Sequence, residues 1–147
     1  MCIAQSIDVF ATGIVAGVFV MGSFAVHPAA ARLDPLSHLS LRQQLIHRLS
    51  KFMPPVMLLS VVACVVALAF CPTSLSWRIN ASGGALSLAT IGITIAFNVP
   101  LNRRFARWSP SALPLDWEKY VCRWNTAHTA RTATTLAAFA CAILAGN

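Results

Sequence analysis

Residues 124–147 read WNTAHTARTATTLAAFACAILAGN. Most of this segment is small and apolar, and residues 124–145 approach the ~20 residues that carry a helix across ~30 Å of hydrocarbon. Its first two turns hold Trp124, His128 and Arg131 at steps of four and three. That spacing sets all three on one helical stripe, which continues through Thr135, Ala138 and Ala142. An arginine facing lipid at mid-span costs about 3 kcal/mol. The stripe is therefore expected to face other helices, and the rest of the chain must supply them.

The composition agrees. Of 147 residues, 57% are apolar and 10% charged, and mean hydropathy is +0.69. A soluble domain has about a quarter of its residues charged. Besides residues 124–145, apolar runs cover 7–29, 54–71 and 79–98. None alternates as a membrane barrel strand would. The run at 7–29 has no basic start and no clear cleavage site, so it reads as a span and not a leader. The expected fold is all-α: one domain over residues 1–147, an integral-membrane antiparallel four-helix bundle.

A net charge of +7 would suit nucleic acid, but the basic residues flank the apolar runs, where they set topology. Arg32, Arg42, Arg48 and Lys51 lie between runs one and two. Arg103, Arg104, Arg107, Lys119 and Arg123 lie between three and four, and Arg78 stands alone between two and three. The positive-inside rule then puts both basic loops in the cytoplasm and both termini outside, in a multi-pass protein of the inner (plasma) membrane.

Within the first basic loop, residues 36–52 place Leu41, Leu45, Leu49 and Phe52 on one helical face and His38, Arg42 and Arg48 on others. This predicts an amphipathic helix at the membrane surface, with His38 and His47 solvated. Pro54 and Pro55 are then expected in the first turn of span two, where a missing N–H is harmless.

Similar stripes recur in the other spans. Span one gives Gly13, Gly17, Val20, Phe24 and His27; span two gives Met53, Met57, Ser60, Cys64, Ala67 and Cys71; span three gives Gly84, Ser87, Ile91, Thr94 and Asn98. Small and hydroxyl residues dominate, as helix packing in lipid favours. An up-down bundle would gather His27, Asn98, Asn102, Met57, Trp124, His128 and Arg131 at its cytoplasmic end. The outer half is expected to offer only Gly, Ser, Ala, Thr and Cys. Plainer roles compete: belt positions for Trp117 and Trp124, packing for Met53 and Met57, turn chemistry for Asn98 and Asn102, helix capping for His27.

The five cysteines form no CxxC pair, which argues against a thioredoxin-like site or a zinc ribbon. Cys2, Cys71 and Cys141 are expected near one another outside, where disulfides persist. Phosphate-binding glycine loops, HExxH and a nucleophile elbow are all missing. With four acidic residues and none expected mid-span, a carboxylate-bridged metal pair is not expected.

The segment NVPLN at 98–102, followed by Trp117, Arg123, Trp124, His128 and Arg131, resembles the anthrone-oxygenase-like membrane proteins. So does VHPAAARLDPLSHLSLRQQLIHRLSKFMPPVMLL at 26–59. The resemblance implies four membrane helices. From the characterised fungal relatives it implies a monooxygenase-type oxidation of an anthrone to an anthraquinone by dioxygen.

Such chemistry needs no cofactor, because an anthrone enolate can pass an electron to dioxygen. His128 or His27 would take the proton, Arg131 and Asn98 would stabilise the enolate oxygen, and Trp124 would stack on the ring. Asn102, Trp117 and Phe24 would complete the substrate site. The expected partners are the lipid bilayer, a small hydrophobic aromatic substrate and a second copy of the chain. Two alternatives stay open: haem or copper held by His27, His128 and Met57, and a structural membrane protein with no site.

Overall fold

The computed structural model describes residues 2–70 and 74–146. It is helical throughout: α1 (Ile3–Met21), a π turn (Gly22–Val26), α2 (His27–Ala30), α3 (Pro35–Phe70), α4 (Ser74–Ile93), a second π turn (Thr94–Asn98), α5 (Val99–Arg107), a 3₁₀ turn (Pro110–Ala112) and α6 (Trp117–Gly146). The π turns join α1 to α2 and α4 to α5 as continuous rods, giving four helices long and apolar enough to cross a membrane. Rod one packs on α3 and α6, and rod three packs on the same two, so sequential neighbours form a closed antiparallel ring. The fold is the four-helix membrane bundle expected from the sequence.

The separate surface helix between spans one and two does not exist. Residues 36–52 are helical, but they run unbroken into span two as a 36-residue helix with Pro54 and Pro55 inside it. At 1.5 Å per residue this helix is about 54 Å long, well beyond the hydrocarbon thickness. Asp34 starts it, its carboxylate accepting the N–H groups of Leu36 and Ser37 at 3.1 Å each. A hydrogen bond from the Ser37 side chain, with those from the two backbone N–H groups, holds its carboxyl below the ordinary range.

Because the prolines do not break the helix, the inward stripe of Met53 and Met57 continues backwards to Arg42 and His38. Both are buried, at 7% and 5% exposure, whereas Leu49 and Phe52 are exposed. The polar residues His38 and Arg42 therefore turn inward, where Leu41, Leu45 and Leu49 line the same cavity.

Span two buries Met53, Met57, Ser60, Cys64 and Ala67, and span four buries Trp124, His128, Arg131, Thr135, Ala138 and Ala142, as their periodicity predicts. Cys71 lies outside the described residues. Span one differs: Gly17 and Phe24 are exposed, and the buried stripe runs Gln5, Asp8, Thr12, Val15 and Phe19.

The first π turn is the cause. The His27 N–H bonds to the Gly22 carbonyl, five residues back. Counting from His27 by fours and threes therefore lands on the wrong face, and a single step of five restores Gly22, Phe19, Val15, Thr12 and Asp8. In span three the corresponding bond runs from the Val99 N–H to the Thr94 carbonyl. There Asn80, Thr90 and Asn98 are the buried polar residues, with Ser87 and Thr94 half-buried.

A proline follows each π turn, at Pro28 and Pro100. A proline ring clashes with the carbonyl four residues back, and the wider turn moves that carbonyl aside.

The half of the bundle away from the basic loops is more polar than expected. Gln5, Asp8 and Asn80 are buried there, so a carboxyl does sit inside a span. Thr12 donates to Asp8 at 2.9 Å, and Gln5 donates to the Ala145 carbonyl at 3.0 Å. The Cys64 thiol donates to the Asn80 carbonyl at 3.3 Å. Cys2 is disulfide-bonded, whereas Cys141 is a free thiol.

Candidate functional site

At the end that carries the basic loops, α6 presents Trp124, His128 and Arg131 to the inside. Arg131 donates from Nε at 3.0 Å and from Nη2 at 2.8 Å to Nδ1 of His128. A guanidinium has only donors, so Nδ1 must be bare. The ring proton is then assigned to Nε2, which donates to the Phe19 carbonyl at 3.1 Å.

Both nitrogens of His128 are engaged, and its indole neighbour Trp124 stacks on it with centroids 5.0 Å apart and planes 12° apart. The Arg131 guanidinium also covers the Phe19 ring at 4.4 Å. Thr134 and Thr135 donate to the Arg131 carbonyl and meet Thr90 of α4 hydroxyl to hydroxyl, at 2.7 and 3.2 Å, pinning this turn against the neighbouring rod.

His27 comes from the first residue after the π turn of rod one. It meets Trp124 edge-on at 5.0 Å and His128 at 4.5 Å. Among the described residues its side chain makes no hydrogen bond, so both ring nitrogens remain available. Asn102 accepts from the Trp124 indole at 2.7 Å and so orients that ring.

Arg42 reaches in from α3, its guanidinium 4.7 Å from the Trp124 ring and 4.9 Å from Phe105. Gln43, beside it, donates to the Phe105 and Trp108 carbonyls at 2.9 Å each and ties α3 to the end of α5. Its neighbour His38 stands against Trp117, centroids 5.1 Å apart.

These groups surround a cavity of about 230 Å³ with a mainly apolar lining. His27, His38, Arg42, Asn102, Trp124, His128 and Arg131 supply its polar wall, and Phe19, Met53 and Met57 lie among its apolar residues. Met21 and Leu49 line it while staying 56% and 38% exposed, so its lining reaches the surface at these two residues of α1 and α3.

A family model for anthrone oxygenase matches residues 43–141, more than half of the chain. The chain belongs to the anthrone oxygenase family. No curated protein and no solved structure matches it.

In this anthrone oxygenase family member, His27, His128, Arg131, Trp124, Asn102 and Met57 come together at the cavity as their positions suggested. Asn98, Trp117 and Phe24 do not line it. Asn98 is fully buried behind Trp124, its amide donating to the Trp124 carbonyl at 3.4 Å. Phe24 sits inside the π turn and is 77% exposed. Trp117 lies outside the lining, against His38.

Arg42 and His38 line the cavity too, where the sequence put His38 in solvent and Arg42 off the apolar face of a surface helix. The signal for them was present: the Met57 and Met53 stripe, extended backwards at the same period through the two prolines, arrives at both.

Haem does not fit between the two histidines. A bis-histidine site needs the porphyrin between the imidazoles, but these rings touch edge to face at 4.5 Å. His27 and Met57 keep two soft donors for a copper reading. Among the described residues no group of three or more His, Cys, Asp or Glu gathers.

Proposed function

We propose that this protein oxidises a flat, electron-rich aromatic ketone of the anthrone class with dioxygen, using its own side chains. His27 takes a proton from the acidic ring carbon. The enolate oxygen is held by Arg131, whose fork is fixed by His128 and by the Phe19 ring. Trp124 and Phe19 present aromatic faces to the substrate.

The enolate passes one electron to dioxygen, and the carbon radical and superoxide combine into a carbon–oxygen bond. Loss of the remaining ring-carbon proton and cleavage of the O–O bond release water and leave the quinone carbonyl. One oxygen atom enters the product and the other leaves as water, so anthrone and dioxygen give anthraquinone and water in equal amounts.

The observation that carries this reading is the division of labour between the two histidines. His128 has no free nitrogen, whereas His27 faces the same cavity unbonded. Membership of the family supports this choice of reaction class. Preorganised donors in a water-poor site are the main source of such catalysis.

In the same reading the chain lies in the plasma membrane with its basic loops and cavity on the cytoplasmic side. The disulfide-bonded Cys2 begins rod one at the opposite end, and oxidising compartments preserve disulfides. The substrate enters sideways from the lipid through the gap between α1 and α3.

The test is turnover of an added anthrone by purified protein. Replacement His27→Gln is expected to cut kcat by about 10²–10⁴-fold, the worth of a general base, and His27→Gly should recover activity when imidazole is added. Full activity in His27→Gln would refute the assignment.

A further inference from the structure

Two guanidiniums share this cavity, and among the described residues no Asp or Glu lines it. The hydrogen-bond partners of Arg131 and Arg42 are His128 and Asn125, both neutral. Both cations approach the Trp124 ring, at 5.2 Å and 4.7 Å, so they lie no further apart than the sum of those distances. Arginine does not give up its proton, and two like charges held close in a low-dielectric site repel strongly.

The proposed enolate answers only Arg131. Arg42 is left with a contact of 3.5 Å to Asn125 and a buried Nε that has no partner among the described residues. One helical turn earlier, Nε2 of His38 is also buried without a partner. Both residues line the cavity and both are more than nine-tenths buried. An orphaned polar atom in such a place is costly unless something fills it.

We infer that Arg42 and His38 form a second subsite that binds an ionised carboxylate on the ligand, so that this protein takes an aromatic acid and not a neutral ring. The inference rests on the oxygenase reading only for the identity of the ring system. A carboxylate matches the guanidinium fork in shape and charge, and the apolar lining between the two arginines receives the ring. Residues 38 and 42 precede the region matched by the family model, which starts at residue 43.

The experiment separates binding from oxidation. Anthracene-2-carboxylate and its methyl ester are flat probes with no acidic ring carbon. Each is titrated into the full-length protein in mild detergent, and binding is read by quenching of tryptophan fluorescence. The acid is expected to bind about 10- to 100-fold tighter than the ester, the worth of a hydrogen bond to a charged group.

Arg42→Gln should erase that preference while ester affinity stays put, which also shows that the cavity is intact. Arg42→Lys keeps the charge without the fork and should retain only part of the preference. Equal affinities in the unaltered protein, or a preference that survives Arg42→Gln, would overturn the inference. Turnover plays no part in this titration. Failure of the unaltered protein to oxidise an added anthrone would remove the oxygenase reading and leave acid recognition standing, and equal probe affinities would do the reverse.

Discussion

Arg131 gives two N–H groups to a single nitrogen of a neutral imidazole, an arrangement that makes sense where a fixed cation matters more than a neutralised one. The His128 ring cannot turn away, because its other nitrogen is tied to the Phe19 carbonyl. The guanidinium is thus aimed before any substrate arrives. Lysine carries the charge but has neither the planar fork nor the stacking surface. Arg131→Lys is therefore expected to lower kcat by about 10²–10³-fold, the usual worth of one oxyanion donor, with a smaller change in KM. Steady-state oxidation of an anthrone by the two proteins measures this, and a change confined to KM would count against a role in the reaction step. At this scale the sequence was informative where a span is regular: Trp124, His128 and Arg131 share a stripe and share the cavity. It misled at Asn98, where the stripe position is right but the amide holds the α6 backbone and never reaches the cavity.

The π turns decide how the elements present their side chains. Each adds one residue to a rod just before a proline, and each shifts the face that follows. Periodicity counted through the first turn chose Gly17 and Phe24, which face outward, and passed over Asp8 and Phe19. Nothing in local composition marks a π turn apart from the proline after it, and a proline also reads as a helix end. Gly22 opens the first turn under the His128 ring. A Cβ placed there would lie 2.8 Å from Nε2 and 3.2 Å from Cε1 of that ring. The ring is held by three hydrogen bonds and a stack, so it cannot yield cheaply. Gly22→Ala should cost about 1–3 kcal/mol, as overpacking does, and should reduce turnover along with thermal stability. Gly17 makes the control: no atom lies within 4 Å of a Cβ there, and alanine is the better helix former by about 1 kcal/mol. Thermal unfolding in detergent should rank Gly17→Ala at or above the unaltered protein and Gly22→Ala below it. The reverse order would mean that the first rod is rotated from the face described.

Across the whole molecule, polarity is divided between two ends. One end has the cavity, the guanidiniums and the basic loops; the other has the disulfide-bonded Cys2 and the buried pair of Asp8 and Thr12. Hydropathy and the placement of lysine and arginine were enough to read four antiparallel spans, because lipid demands continuous helices whatever the tertiary contacts. The length of α3 was hidden, because two prolines and a charged stretch look like a loop when scored by hydropathy alone. The proposed orientation follows from the same division and has a direct check. Alkaline phosphatase fused after Asn147 folds only outside the cytoplasm, where its disulfides form, and green fluorescent protein exported through the general secretion route stays dark. The phosphatase fusion is expected to be active and the fluorescent one dark. If the fluorescent fusion shines instead, the basic loops face outward, and the cavity must draw its substrate from the opposite leaflet.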